Sequence, residues 1–144
     1  MKKRLLVIDS EPFNREIARK IFSGKYEMGF ENSAKGFEHG CQDLMPNVVL
    51  FEKRTPEIDD LRDLLIKARL HNPSLPVVVI ISNNSLELET VARACGAFYC
   101  IIRPFNLKEL WDILAAAFSY ADVHCPYLPP VVYANSVVEG NIVI

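Results

Sequence analysis

The stretch NVVLFEKRTP, residues 47–56, places a carboxylate directly after four apolar residues and two cations directly after the carboxylate. Val48, Val49, Leu50 and Phe51 read as a strand buried on both faces, so Glu52 stands at its tip with Lys53 and Arg54 behind it. Two more apolar runs end in the same manner, RLLVID on Asp9 and LPVVVIIS on Ser82. Acids, a hydroxyl and cations brought to one place suit ion pairing or the holding of a polar ligand. Thiol and imidazole chemistry has no comparable support. Cys41, Cys95, Cys100 and Cys125 form no C-x-x-C pair, and His39, His71 and His124 lack ligand spacing. Cys95 and Cys100 sit among apolar neighbours, as core thiols do. No glycine-rich phosphate loop follows a strand-like run.

The elements that position these groups alternate. Five apolar runs, RLLVID, YEMGFE, NVVLF, LPVVVIIS and FYCII, are separated by segments of helical spacing, and a further such segment follows the last run. The first helix opens at Pro12, a favoured first-turn residue. The second, near residues 34–44, is weakened by Gly36 and Gly40. The third carries Leu61, Leu64, Leu65 and Ala68 on one face. The fourth is expected to start at a capping box of Asn84 and Glu87, the fifth at one of Asn106 and Glu109 with Trp111 on its apolar stripe. Strand alternating with helix implies an α/β doubly wound parallel sheet covered on both faces, with YEMGFE at an edge. In such folds ligands bind beyond the carboxyl ends of the strands, where Asp9, Glu52 and Ser82 should converge.

Three motifs in order resemble the receiver domain of two-component response regulators over residues 3 to 121: LLVIDSEP, PNVVLFEKRTPEID and GAFYCIIRPF, the last joining Gly96-Ala97 to Pro104-Phe105 without a gap. The resemblance implies a flavodoxin-like fold, with five parallel strands in order 2-1-3-4-5 flanked by five helices. It also implies a reaction, phosphoryl transfer from a phosphohistidine to an aspartate, assisted by magnesium. The family uses two acids after the first strand, the acceptor after the third, a Ser or Thr after the fourth and a lysine after the fifth. Here Asp9 keeps one acid and Ser10 replaces the other; Glu52 holds the acceptor position and Arg103 the lysine position. The hydroxyl position falls on Ser82 by local pattern and on Ile81 by counting back from Arg103.

Each departure has a consequence. The extra methylene of Glu52 moves its oxygens on the order of 1 Å, and a misplacement of that size can cost about a hundredfold in a reaction that depends on positioning. Ser10 is a neutral ligand where magnesium needs hard, charge-balancing oxygens, or it caps the first helix instead. The planar fork of Arg103 favours carboxylate pairing over a point contact. Arg54, whose carbonyl position serves the family's metal, adds a cation beside that site. The expected metal set of Asp9, Ser10, Glu52 and Arg54 is therefore degenerate, no cofactor is expected, and no residue is expected to be catalytic. Glu52 is expected to reach Arg103 in a charge-assisted, bidentate pair, with Arg54 as the rival partner and Lys53 pointing away.

Composition bounds the rest. The chain has 144 residues and a formal net charge of −2, without a basic block for nucleic acid beyond the opening KKR. VVVII is too short to span a bilayer, and Asp9 interrupts any signal-like opening. The expectation is a cytoplasmic protein, residues 1–122 forming the receiver-like domain and 123–144 a Pro-rich, then β-branched extension that is a strand-forming tail or the start of another domain. The reading is a pseudo-receiver acting as a protein-interaction module in signal transduction, not an enzyme. Its partner would be a signalling protein, such as a histidine kinase, or a second copy met through the fourth helix, fifth strand and fifth helix or through the tail. The rival reading is a working phosphorelay receiver that uses magnesium.

Overall fold

The computed structural model describes residues 2–81 and 85–124. Ser82, Asn83, Asn84 and the extension from 125 onward lie outside them, and with them the expectations placed on Ser82 and on the tail. The chain runs β1 (Lys3–Ile8), α1 (Pro12–Phe22), β2 (Tyr26–Glu31), α2 (Phe37–Leu44, after a 3₁₀ turn at Ala34–Gly36), β3 (Val48–Lys53), α3 (Asp59–His71), β4 (Val77–Ile81), α4 (Leu86–Ala94), β5 (Tyr99–Ile102) and α5 (Leu107–His124). All pairings are parallel and the sheet order is β2-β1-β3-β4-β5, as expected.

Side chains alternate across a strand, so each strand feeds two cores. Leu6, Ile8, Val49, Phe51, Val77 and Val79 pack with α2, α3 and α4. Leu5, Val7, Val48, Leu50, Val78 and Ile80 pack on the other face with Phe22 of α1 and Leu114 and Phe118 of α5. The central strands are buried on both faces, which is why their sequences lack a polar alternation.

Of the expected helix caps, that of α5 is formed and those of α4 and α1 are not. Asn106 Oδ1 accepts from the Glu109 N–H at 2.8 Å, capping α5 as expected. For α4 the cap is Ser85, whose Oγ accepts from the Leu88 N–H at 3.2 Å, one residue later than expected. Ser10 does not cap α1: the N-cap position is Glu11, without a side-chain cap, and Asp9 Oδ1 accepts the Glu11 N–H at 2.9 Å instead. The glycine in α2 has a packing reason. A Cβ on Gly40 would lie 2.7 Å from a methyl of Leu6, so glycine lets the helix approach the sheet.

Candidate functional site

The same alternation that divides the cores aims the charged residues. Glu52 follows Val48 and Leu50 onto the α1–α5 face, and Asp9 follows Leu5 and Val7 there. Lys53 follows Val49 and Phe51 to the opposite face, away from the site as expected. Its side chain is only 2% exposed, its Nζ lying 3.0 Å from Asp60 and donating to Thr55 Oγ1 at 2.5 Å. Ile81, one of the two candidates for the hydroxyl position, is wholly buried in the α2–α4 core and does not face this site.

Glu52 and Arg103 meet. Arg103 Nε donates to Glu52 Oε2 at 2.5 Å, and Arg103 Nη2 contacts the same oxygen. The pair thus converges on one carboxylate atom; it is not the two-oxygen fork expected from the side-chain lengths. The guanidinium also lies over the Phe105 ring, 5.3 Å from its centroid. The Arg103–Pro104 peptide bond is cis.

Arg54 takes a role that spacing did not reveal. Its Nε donates to Asp9 Oδ1 at 3.0 Å and its Nη2 to Oδ2 at 3.2 Å, a two-oxygen fork. The same Nη2 is 3.5 Å from Glu52 Oε2. One guanidinium therefore stands between the two acids, and the rival partner of Glu52 is chiefly the partner of Asp9. Alternation along the extended chain puts residues 52 and 54 on one side, the only signal the sequence held for this. The backbone carbonyl of Asp9 accepts from Arg15 Nη1 at 2.6 Å, which ties α1 to the same corner.

Electrostatics follow from burial. Glu52 is 9% exposed. Burial pushes its carboxyl above the ordinary range and the charge of Asp9 adds to the rise, while Arg103 and then Arg54 pull it down. The hydrogen bond to Asp9 raises Arg54 further. The described cysteines are core thiols: burial pushes Cys41 up to about 12 and Cys100 up to about 11, and Cys95 packs against the core half-buried.

This donor set does not fit the magnesium ion the fold implies. Both oxygens of Asp9 are taken by a guanidinium, Glu52 is paired with Arg103, and Ser10 is exposed and neutral. Among the described residues no three His, Cys, Asp or Glu side chains converge to hold a metal ion. No described helix is long and apolar enough to cross a membrane.

No protein-family model matches the chain. Among curated proteins it is 32% identical over 108 residues to the regulatory protein AtoC of Escherichia coli K12, covering 74% of this chain and 23% of that one. It is 31% identical over 91 residues to the DNA-binding transcriptional regulator NtrC of the same organism, covering 63% and 19%. The chain thus spans less than a quarter of the length of these relatives. The receiver domain of NtrX from Brucella abortus superposes with a TM-score of 0.70 at 26% identity, over 80% of this chain and 98% of that one. A CheY-like receiver domain protein from Methanospirillum hungatei gives 0.76 at 21% identity, over 85% and 98%. The sheet order, the strand-end site and this kinship lead to one conclusion: the chain carries a receiver domain of the response-regulator family, a signal-transduction module.

Proposed function

We propose that this receiver is a pseudo-receiver, an interaction module whose strand-end site is held by fixed ion pairs and is not switched by phosphate. The observation that carries the reading is Arg54, which forks onto Asp9 and stands 3.5 Å from Glu52. A guanidinium between the two acids supplies a single, permanent positive charge where phosphoryl transfer calls for a divalent ion. Glu52, at the acceptor position, accepts from Arg103 Nε on one oxygen, which Nη2 of the same guanidinium also contacts. A buried, paired and longer acid is a poorly placed nucleophile.

On this reading the domain is not an enzyme. It signals in the cytoplasm through a protein partner, such as a histidine kinase or a second copy of the chain. The contact face would be α4, β5 and α5, where Leu86 and Tyr99 are exposed. The test is incubation with acetyl phosphate and magnesium followed by intact mass measurement. The expected result is no added phosphoryl mass on the wild type; stoichiometric phosphorylation would overturn the reading. Kinship with regulators such as AtoC favours a second reading, a working receiver that accepts a phosphoryl group, and the same measurement would then show it with magnesium only.

A further inference from the structure

We propose that the cleft between α1 and α5 binds a small amphipathic carboxylate, whose head takes Arg103 away from Glu52. The proposal rests on the pseudo-receiver reading, for which it supplies the regulating ligand. The cleft has a volume of about 250 Å³ and reaches from the surface to the strand tips. That is just under the usual range for ligand pockets, about 300–1,000 Å³, so the ligand is small. Its walls are mainly apolar, Ile17 and Ile21 from α1 and Leu107 and Leu110 from α5 with Asn14 the polar exception, and Val7 and Leu50 form the floor. Its inner end is charged, lined by Asp9, Glu52 and Arg103 beside Phe105. An apolar body and a single polar head match that division.

Charge complementarity decides the head. Arg54 is committed to both oxygens of Asp9, so its charge is already matched by a two-oxygen fork. Arg103 is the accessible cation, its side chain 38% exposed, and it is held through one oxygen of Glu52 alone. A ligand carboxylate offering two oxygens to the fork makes the better match. A cationic head would meet Arg103 with like charge, and an alcohol would offer one neutral acceptor. The acid left behind is not stranded as a bare charge. Burial already favours its neutral form, so Glu52 takes up one proton from solvent as Arg103 leaves, with Asp9 and Arg54 as its remaining charged neighbours. Ligand binding then releases the tie between the third and fifth strand ends without phosphate.

The test uses the full chain and three probes with one body and different heads: 4-phenylbutyrate, 4-phenylbutan-1-ol and 4-phenylbutylamine. Trp111, the single tryptophan, reports binding through Phe22 of the cleft, whose ring it meets edge-on at 4.9 Å. The expected result is saturable binding of the carboxylate, about tenfold tighter than either other head. Arg103→Gln should erase that preference and Glu52→Gln should keep or strengthen it. Ala18→Leu, which fills the cleft from the α1 wall and is no member of the ion pair, should block all three probes. Equal affinity for the three heads, no saturation at low millimolar carboxylate, or a preference that survives Arg103→Gln would overturn the proposal. Phosphorylation of the wild type by acetyl phosphate would overturn the pseudo-receiver reading alone, whereas a phosphate-inert protein without the carboxylate preference would overturn this inference alone.

Discussion

Burial raises the proton affinity of Glu52 while the guanidiniums of Arg103 and Arg54 oppose the rise, and the balance remains upward from the ordinary value of 4.5. The folded protein therefore holds a proton on Glu52 at a pH where the unfolded chain has lost it. That contribution to stability is fully present below the unfolded value and is lost as pH rises through the raised folded value. Other carboxylates obscure the trend in the wild type alone, so the informative quantity is the difference between wild type and Glu52→Gln. In urea unfolding, the wild type should lose stability relative to the variant as pH is raised from about 4.5 toward neutrality. A difference that stays flat across this range would remove the argument. Arg54 gives a second residue-scale prediction. The wild type should show no calorimetric heat with magnesium in the low-millimolar range, and Arg54→Ala combined with Ser10→Asp should gain it, because the guanidinium leaves and a second acid enters beside Asp9. Wild-type binding as strong as that of the double variant would mean that Arg54 does not occupy the cation position.

Among the elements, β3 is the one whose chemistry departs furthest from its surroundings, since Lys53 is 2% exposed at its end and pairs with Asp60 on the first turn of α3. Replacing a buried ion pair by an apolar side chain is often neutral or stabilising, whereas removing one partner strands the other. Lys53→Met leaves only Asp60, which is half-exposed and stays solvated, so urea stability should be unchanged or higher. Asp60→Asn strands the buried Lys53 and should lower it by about 1–2 kcal/mol, the contact with Thr55 keeping the loss modest. A loss from Lys53→Met larger than from Asp60→Asn would contradict this. Gly40→Ala in α2 sets a gain of about 1 kcal/mol in helix propensity against a clash at Leu6 costing about 1–3 kcal/mol, so thermal unfolding should show a net loss. The elements were legible because their apolar periodicity is a one-dimensional signal. Val48 to Phe51 could only be a strand buried twice, and Pro12 and Asn106 mark helix starts where they stand. The start of α4 was displaced by one residue because Asn84 and Ser85 are both good caps, and their order alone does not say which hydroxyl or amide turns toward the Leu88 N–H. The site was half legible for a related reason. Alternation aims Glu52 and Lys53 to opposite faces, but the choice of Asp9 by Arg54 depends on the reach of long side chains in three dimensions.

Across the whole molecule the strand ends are tied in a chain: Asp9 after β1 to Arg54 after β3, and Glu52 at the end of β3 to Arg103 after β5, across the end of β4. The two cores and the parallel ladders hold the strands in register. The ties add a constraint on the loops that lead from β3 and β5 into the helices that follow. If the pair of Glu52 and Arg103 holds β5 and α5 in one arrangement, its effect should be small in global stability and larger in local opening. A partly exposed pair contributes about 0–1 kcal/mol, little against the stability of a domain. Local opening of a strand end has a smaller free energy to begin with, so the same increment is a larger share of it. The measurement is a double-mutant cycle on Glu52→Gln and Arg103→Gln, followed by amide hydrogen exchange along β5 and the start of α5. The expected outcome is that each single change speeds exchange there, that the double variant is no faster than the faster single one, and that β2 at the far edge is unaffected. Additive effects of the two changes, or an equal acceleration at β2, would mean that the pair does not constrain the β5–α5 face.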